Sequence, residues 1–288
     1  MPDRPTLAEL AVIYGEQRAR EMLDAPALPA ILAALSAAPA AIVDRSVAHQ
    51  REIFAATAGL ALPHYRTAYL DVPLTKIFAL GHKNFADEAK TWRSLLNGIH
   101  GVGWSLDALA YFESEIGASQ FPVPSAAYPL RMQAFGGALV CTNGMHRLVA
   151  AVCWLAAKHG EAAALRKVEV RYQPVNRAAL KTMRTALYAG ARVDAARGDG
   201  QPTVYLRAHL HGRTQYWAAK GRLTVPIRAP GGWLGRLRRR IRGPAADEAA
   251  LVWQPVSRDL VEAMADTAWL RDQHHAPRYA EKPAQLLG

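Results

Sequence analysis

Residues 141–160 read CTNGMHRLVAAVCWLAAKHG, and the rest of the chain is read outward from them. Asn143-Gly144 is a turn dipeptide. After it, Leu148, Val149, Val152, Leu155 and Ala156 recur at helical spacing. The pattern predicts a helix from about Met145 to His159 that ends near Gly160. Before it, Ala138–Thr142 reads as a strand. A strand therefore enters a helix through Thr-Asn-Gly. Such a corner leaves backbone N–H groups without intrahelical acceptors and adds the positive end of the helix dipole. It suits an anion, phosphate above all. His146 and Arg147 put cationic side chains in the first turn, where they oppose the dipole, so a compensating anion is expected. The plain alternative is that Arg147 pairs with a protein carboxylate and His146 caps a strand end.

Working outward, Leu130–Phe135 reads as a strand joined to Ala138–Thr142 by the tight turn Gly136-Gly137, a hairpin. Ser105–Ile116 and residues 84–97 read as helices. Asn84 is the expected cap of the second, with Asp87 and Glu88 in its first turn. Leu74–Ala79 reads as a short helical turn, and Arg66–Val72 as a strand ended by Pro73. Before Pro63 the chain is Ala-rich and helical: residues 6–24, capped by Thr6 with Glu9, then 27–60 broken at Pro39. In the other direction, Arg166–Tyr172 alternates as a strand and 176–189 reads as a helix. A polar link follows at 194–202. Three strand-like runs (203–209, 214–219 and 222–228) make a β-meander, and 257–270 reads as a helix. The fold class expected is α+β. It has a helical N-terminal cap (1–62), a core (63–175) and a basic C-terminal extension (176–288).

The run CTNGMHRLVAA resembles the ParB/sulfiredoxin-type nucleotide-binding fold, whose members carry a Gly-x-His-Arg or Gly-Glu-Arg-Arg box at a strand-to-helix turn. YLDVPLTKI (69–77) is similar to the opening strand and short helix of that family, and the resemblance spans about residues 65–175. It implies a ParB/sulfiredoxin-like core in which Thr142, Asn143, Gly144, Met145, His146 and Arg147 hold nucleotide phosphates. Lys76 and the loop carrying Lys83 and Asn84 would face them across a cleft. ATP or another nucleoside triphosphate, with Mg²⁺, is the implied cofactor.

Departures from the family sort its activities. Sulfiredoxins need a cysteine where this chain has Met145, and a thioether cannot serve as a thiolate nucleophile. CTP-hydrolysing partition proteins carry Gly-Glu-Arg-Arg and then a helix-turn-helix domain, whereas strands are expected here after residue 175. Small-molecule kinases carry Asp-Gly-x-His-Arg, and Asn143 replaces that aspartate. Phosphoryl transfer needs charge neutralisation and a base for the acceptor hydroxyl. His146 and Arg147 would supply the first, and Asp71 or Glu88 the second. The plain readings are strand-end capping for Asp71 and a first-turn helix acid for Glu88. The leading expectation is a nucleotide-dependent phosphotransferase acting on a hydroxylated small molecule, sugar or lipid-linked acceptor. The alternatives are a nucleotide-gated nucleic-acid-binding ParB-like protein and an interaction protein with a decayed core.

Charge is concentrated. The 288 residues carry a net +11. Residues 1–175 hold 16 lysines and arginines against 15 acids, residues 176–245 hold 15 against 2, and residues 246–288 hold 4 against 7. Five arginines lie in GGWLGRLRRRIRG (231–243), where Trp233, Leu234, Leu237 and Ile241 would share one helical face. Trp233–Arg242 therefore reads as a docking segment for an anionic membrane surface or nucleic acid, or as a helix packed on the meander. Ala27–Val43 is too short and Pro-broken to span a bilayer, and the N-terminus does not read as a signal peptide. Cys141 and Cys153 sit in apolar runs, so thiols in a reducing compartment are expected. The expected location is the cytoplasm, with docking at the inner membrane face if the amphipathic segment binds lipid. The oligomeric state is not legible.

Overall fold

The computed structural model describes residues 27–48, 60–81, 90–99, 104–123, 128–197, 203–227 and 251–280, with isolated positions 8, 12 and 16. The helix expected at 6–24 apart from those three positions, which are helical, residues 84–89, and the Arg-rich segment 231–243 lie outside the described residues.

In chain order, α1 (Ala27–Ala34), α2 (Ala40–Val43) and β1 (Ser46–Val47) lead to β2 (Arg66–Pro73). A 3₁₀ turn at Leu74–Lys76 connects to β3 (Ile77–Leu80). Then come β4 (Lys90–Thr91), α3 (Trp92–Leu96), α4 (Asp107–Glu113), β5 (Arg131–Phe135) and β6 (Ala138–Asn143). The long helix α5 (Met145–His159) returns to β7 (Ala164–Gln173). After α6 (Arg177–Tyr188) come β8 (Arg192–Arg197), β9 (Val204–Leu210), β10 (Arg213–Lys220) and β11 (Leu223–Ile227). The described chain closes with β12 (Gln254–Pro255), α7 (Arg258–Ala265) and α8 (Ala268–His275). The class is α+β.

A mixed sheet of order β2-β7-β5-β6-β3 lies at the centre. β5 runs parallel to β7 and β3 parallel to β6; the other neighbours are antiparallel. Both faces of this sheet are covered, which explains the unbroken apolar run at the start of β6. Leu139 and Cys141 face one core, with α5 and α1 to α4. Ala138 and Val140 face the other, with α6, α7 and the second sheet. α5 is buried almost all round, from Leu148 to Cys153 and again at Leu155 and Ala156, as befits a central helix. The second sheet, order β11-β10-β9-β8-β12, is antiparallel throughout. The layers thus run helices, mixed sheet, helices, antiparallel sheet.

Five local expectations change, each through tertiary pairing. The cap expected to be helical over 27–60 is extended at Ser46–Val47, which pairs with Lys90–Thr91. The turn expected over Leu74–Ala79 stops at Lys76, because Ile77–Leu80 pairs with β6. The helix expected over 84–97 is extended at Lys90–Thr91, which pairs with β1. Thr91 then caps α3 in a capping box with Ser94. The link expected from Asp194 is instead β8, whose polar Asp194 is fully buried and satisfied by Arg192 and Arg207. The helix expected over 257–270 breaks at Asp266–Thr267. There the chain bends round the β5–β6 turn: Gly137 N donates to Met264 O (3.1 Å) and Trp269 Nε1 donates to Gly137 O (3.3 Å). Among the described residues no helix is long and apolar enough to cross a membrane.

Candidate functional site

β6 ends at Asn143, and Gly144 turns the chain into α5 in a left-handed conformation (φ +84°). Glycine adopts it without steric cost. No side chain caps the helix and its first turn holds no acid. The first N–H groups of α5 have no intrahelical acceptor. The corner therefore presents the positive end of a 15-residue helix.

Arg147 adds charge to this corner from below. Its side chain turns inward and is buried, and its guanidinium lies beneath Gly144, where an added Cβ would meet it at 3.0–3.2 Å. Nη2 donates to Tyr128 O (2.7 Å), and Cζ lies 5.3 Å from the centre of the Phe121 ring. Burial pulls the Arg147 pKa down; the neighbouring Tyr111 phenol and Cys141 thiol oppose it. Among the described residues no carboxylate pairs with Arg147. The nearest acid across the sheet, Glu169, is taken by Arg131 (Nε–Oε2 3.0 Å). A buried cation and a helix N-terminus thus share one corner, with no carboxylate paired to either among the described residues.

Comparison with protein-family models, curated proteins and solved structures finds no match.

Arg147 and Asn143 hold the segment that leads into β5. Asn143 Nδ2 donates to Pro129 O (2.6 Å), beside the Arg147 bond to Tyr128. Asn143 and Arg147, both expected to contact phosphate, each spend one donor on this segment. Thr142 is exposed, with Oγ1 donating to Arg131 O (3.3 Å). Gly144, Met145 and His146 are half-buried at the helix start. The surface available to an anion is the first-turn N–H groups, flanked by His146 and Thr142.

The other expected residues stand elsewhere. Gly81, which opens the expected facing loop, does reach the corner region: its N donates to Cys141 O (2.8 Å). Lys83, Asn84 and Glu88 lie outside the described residues. Lys76 precedes Ile77, the partner of Leu139, about 13 Å of strand from Asn143. Its ammonium pairs with Asp266, and it does not face the corner. Asp71 lies on the edge strand β2, three strand spacings or about 14 Å from β6. Its carboxylate accepts from Tyr279 Oη (2.7 Å), Arg278 Nη1 (2.9 Å) and Lys167 N (3.2 Å), while Gln273 bonds its backbone. Asp71 thus anchors the segment after α8. Among the described residues no group of three or more His, Cys, Asp or Glu side chains could hold a metal ion.

Burial pushes the Cys141 and Cys153 thiols up to about 12. The thiolate is the reactive form. Neither should react with a disulfide-exchange reagent near pH 8.5, the ordinary thiol pKa. The measurement is reagent colour before and after denaturant: two thiols should appear only after unfolding.

One site escaped the sequence reading. A cavity of about 730 Å³ opens between α6 and the α7–α8 bend, with Arg177, Lys181, Arg184 and Arg271 on its walls. The signal was the i, i+4, i+7 spacing on α6, but Arg271 joins only through the fold.

Proposed function

We propose that the β6–α5 corner holds the phosphates of ATP or another nucleoside triphosphate with Mg²⁺, and that the protein passes a phosphoryl group to a hydroxylated acceptor. The observation that supports this best is the buried Arg147 guanidinium beneath an uncapped, acid-free helix N-terminus. Positive charge from two sources, with no carboxylate paired to it among the described residues, stabilises an incoming anion, and such a corner is a ready phosphate site. The similarity of CTNGMHRLVAA and YLDVPLTKI to the ParB/sulfiredoxin-like fold adds the nucleotide to this reading.

In this scheme the N–H groups of Met145 and His146 bind phosphate oxygens and orient them. Arg147, fixed by Tyr128 and Phe121, supplies charge without moving. Mg²⁺ characteristically arrives with phosphates and only one or two carboxylates, and it neutralises charge on them when bound. Asp71 is not the base, because both its carboxylate oxygens are engaged far from the corner. That task falls to another group or to the acceptor's own surroundings.

Two measurements test the proposal. His146→Glu puts a carboxylate in the first turn of α5, which favours the helix by about 0.3–1 kcal/mol while repelling phosphate. Nucleotide affinity by titration calorimetry should fall more than tenfold, with a thermal midpoint no lower than the parent's. Unchanged affinity would refute the corner. Separately, label from the terminal phosphate of ATP should appear on a serine, sugar or lipid-linked acceptor; binding without transfer would remove the catalytic half.

A further inference from the structure

Arg177, Lys181 and Arg184 stand at i, i+4 and i+7 on α6 and form one stripe, about 10 Å long at helical rise. Arg271 of α8 faces the stripe across the 730 Å³ cavity, whose described lining includes no aspartate or glutamate. Glu262 answers Arg184 (Nε–Oε1 3.0 Å). Among the described residues Arg177, Lys181 and Arg271 have no carboxylate partner. Tyr172 and Tyr188 stand on the same walls, and Tyr188 is 58% exposed.

The concavity does not stop there. Lys181 and Thr185 also line a second cavity of about 570 Å³, on the side of α6 that faces the antiparallel sheet. Trp217, His211 and Arg213 stand in it. The two cavities share Lys181 and Thr185 on the exposed side of α6, and Tyr172, Tyr188 (one ring face covered by Arg258 at 4.1 Å) and Trp217 stand among their cations. A compact anion calls for cations that converge on one point. Cations in a line, interleaved with aromatic faces, suit a chain of phosphates whose bases stack.

We propose that this basic surface of α6, with the cavities on either side of it, binds the backbone of single-stranded nucleic acid. It borders Gly136, at the far end of β6 from Asn143, about 20 Å of strand away. It is therefore separate from the phosphate corner and stands or falls independently of it.

The test is fluorescence anisotropy of the full chain with a labelled single strand of about 12 nucleotides, within the site sizes such grooves cover. Saturable, salt-sensitive binding is expected. The double variant Arg177→Glu/Lys181→Glu should weaken it at least tenfold. It should also flatten the log–log salt dependence by about 1.4, the share of two single-strand phosphate contacts. Lys158→Glu/Arg166→Glu, the same charge change at exposed positions near Glu113 on the other side of the central sheet, should leave affinity within about twofold. No binding at low salt would overturn the proposal. So would equal loss in both variants, or loss in neither, which would place binding elsewhere, such as Trp233–Arg242. Inorganic tripolyphosphate bound without the oligonucleotide would overturn it as well.

Discussion

Gly137→Ala is expected to cost about 3 kcal/mol or more, at or beyond the top of the range for overpacking. A Cβ at Gly137 would overlap the carbonyl oxygens of Asp266 and Ala263, and both are backbone atoms. No side chain can swing aside to make room. The same contact carries the Gly137 N to Met264 O bond, so relief by separation would break a hydrogen bond and part the hairpin from α7. Chemical denaturation should show a much lower midpoint. Gly190→Ala is the comparison: its φ is +84°, but nothing lies within 4 Å of an added Cβ. It should cost only the left-handed backbone penalty, about 1–2 kcal/mol. Equal costs at the two positions would contradict the packing described for the hairpin turn.

Asp194→Ala should be similarly damaging, at about 3–5 kcal/mol, because it removes one partner of a buried charged cluster. The Asp194 carboxylate is fully buried between Arg207 (Nε–Oδ2 2.9 Å) and Arg192 (Nε–Oδ1 3.1 Å), with His209 Nε2 at 3.4 Å. Of the two arginines, Arg207 is the one held in the interior. Its side chain is 19% exposed and lies 4.3 Å from the centre of the Trp253 ring. Arg192 is 67% exposed and returns to water without loss. Arg192→Ala should therefore cost under about 1 kcal/mol. The double variant Asp194→Ala/Arg207→Leu should recover part of the single loss, since both charges of the pair leave the interior together. Denaturant unfolding of the four proteins measures the coupling, and strict additivity would contradict it.

The elements that sequence reading places well are those whose partners are near in the chain. The β5–β6 hairpin, α5 and β7 follow from the Gly136-Gly137 turn, the Asn143-Gly144 turn and the apolar pattern between 138 and 172. β8 and the α7–α8 break were not legible, because distant residues decide them. Asp194 is tolerable in a strand only because Arg207 lies across from it, and the break at Asp266 exists because the hairpin turn presses on α7. β3 is likewise a strand because β6 is there to pair with it.

The candidate site divides along the same line. The helix N-terminus and its lack of a capping side chain could be read from Thr-Asn-Gly and the residues after it. The direction of Arg147 could not, since Phe121 and Tyr128 set it from across the Pro-rich connection. Asp71 looked available for catalysis because the residues that occupy it, Gln273, Arg278 and Tyr279, come about 200 positions later.

Amide ¹H–¹⁵N shifts of the full chain during titration with Mg-ATP test whether phosphate binds at the start of α5. The largest changes should fall on the amides of Met145, His146 and Arg147, saturate together, and be absent in His146→Glu. Saturable shifts confined to Arg177, Lys181 and Arg271, or no shifts at all, would contradict it.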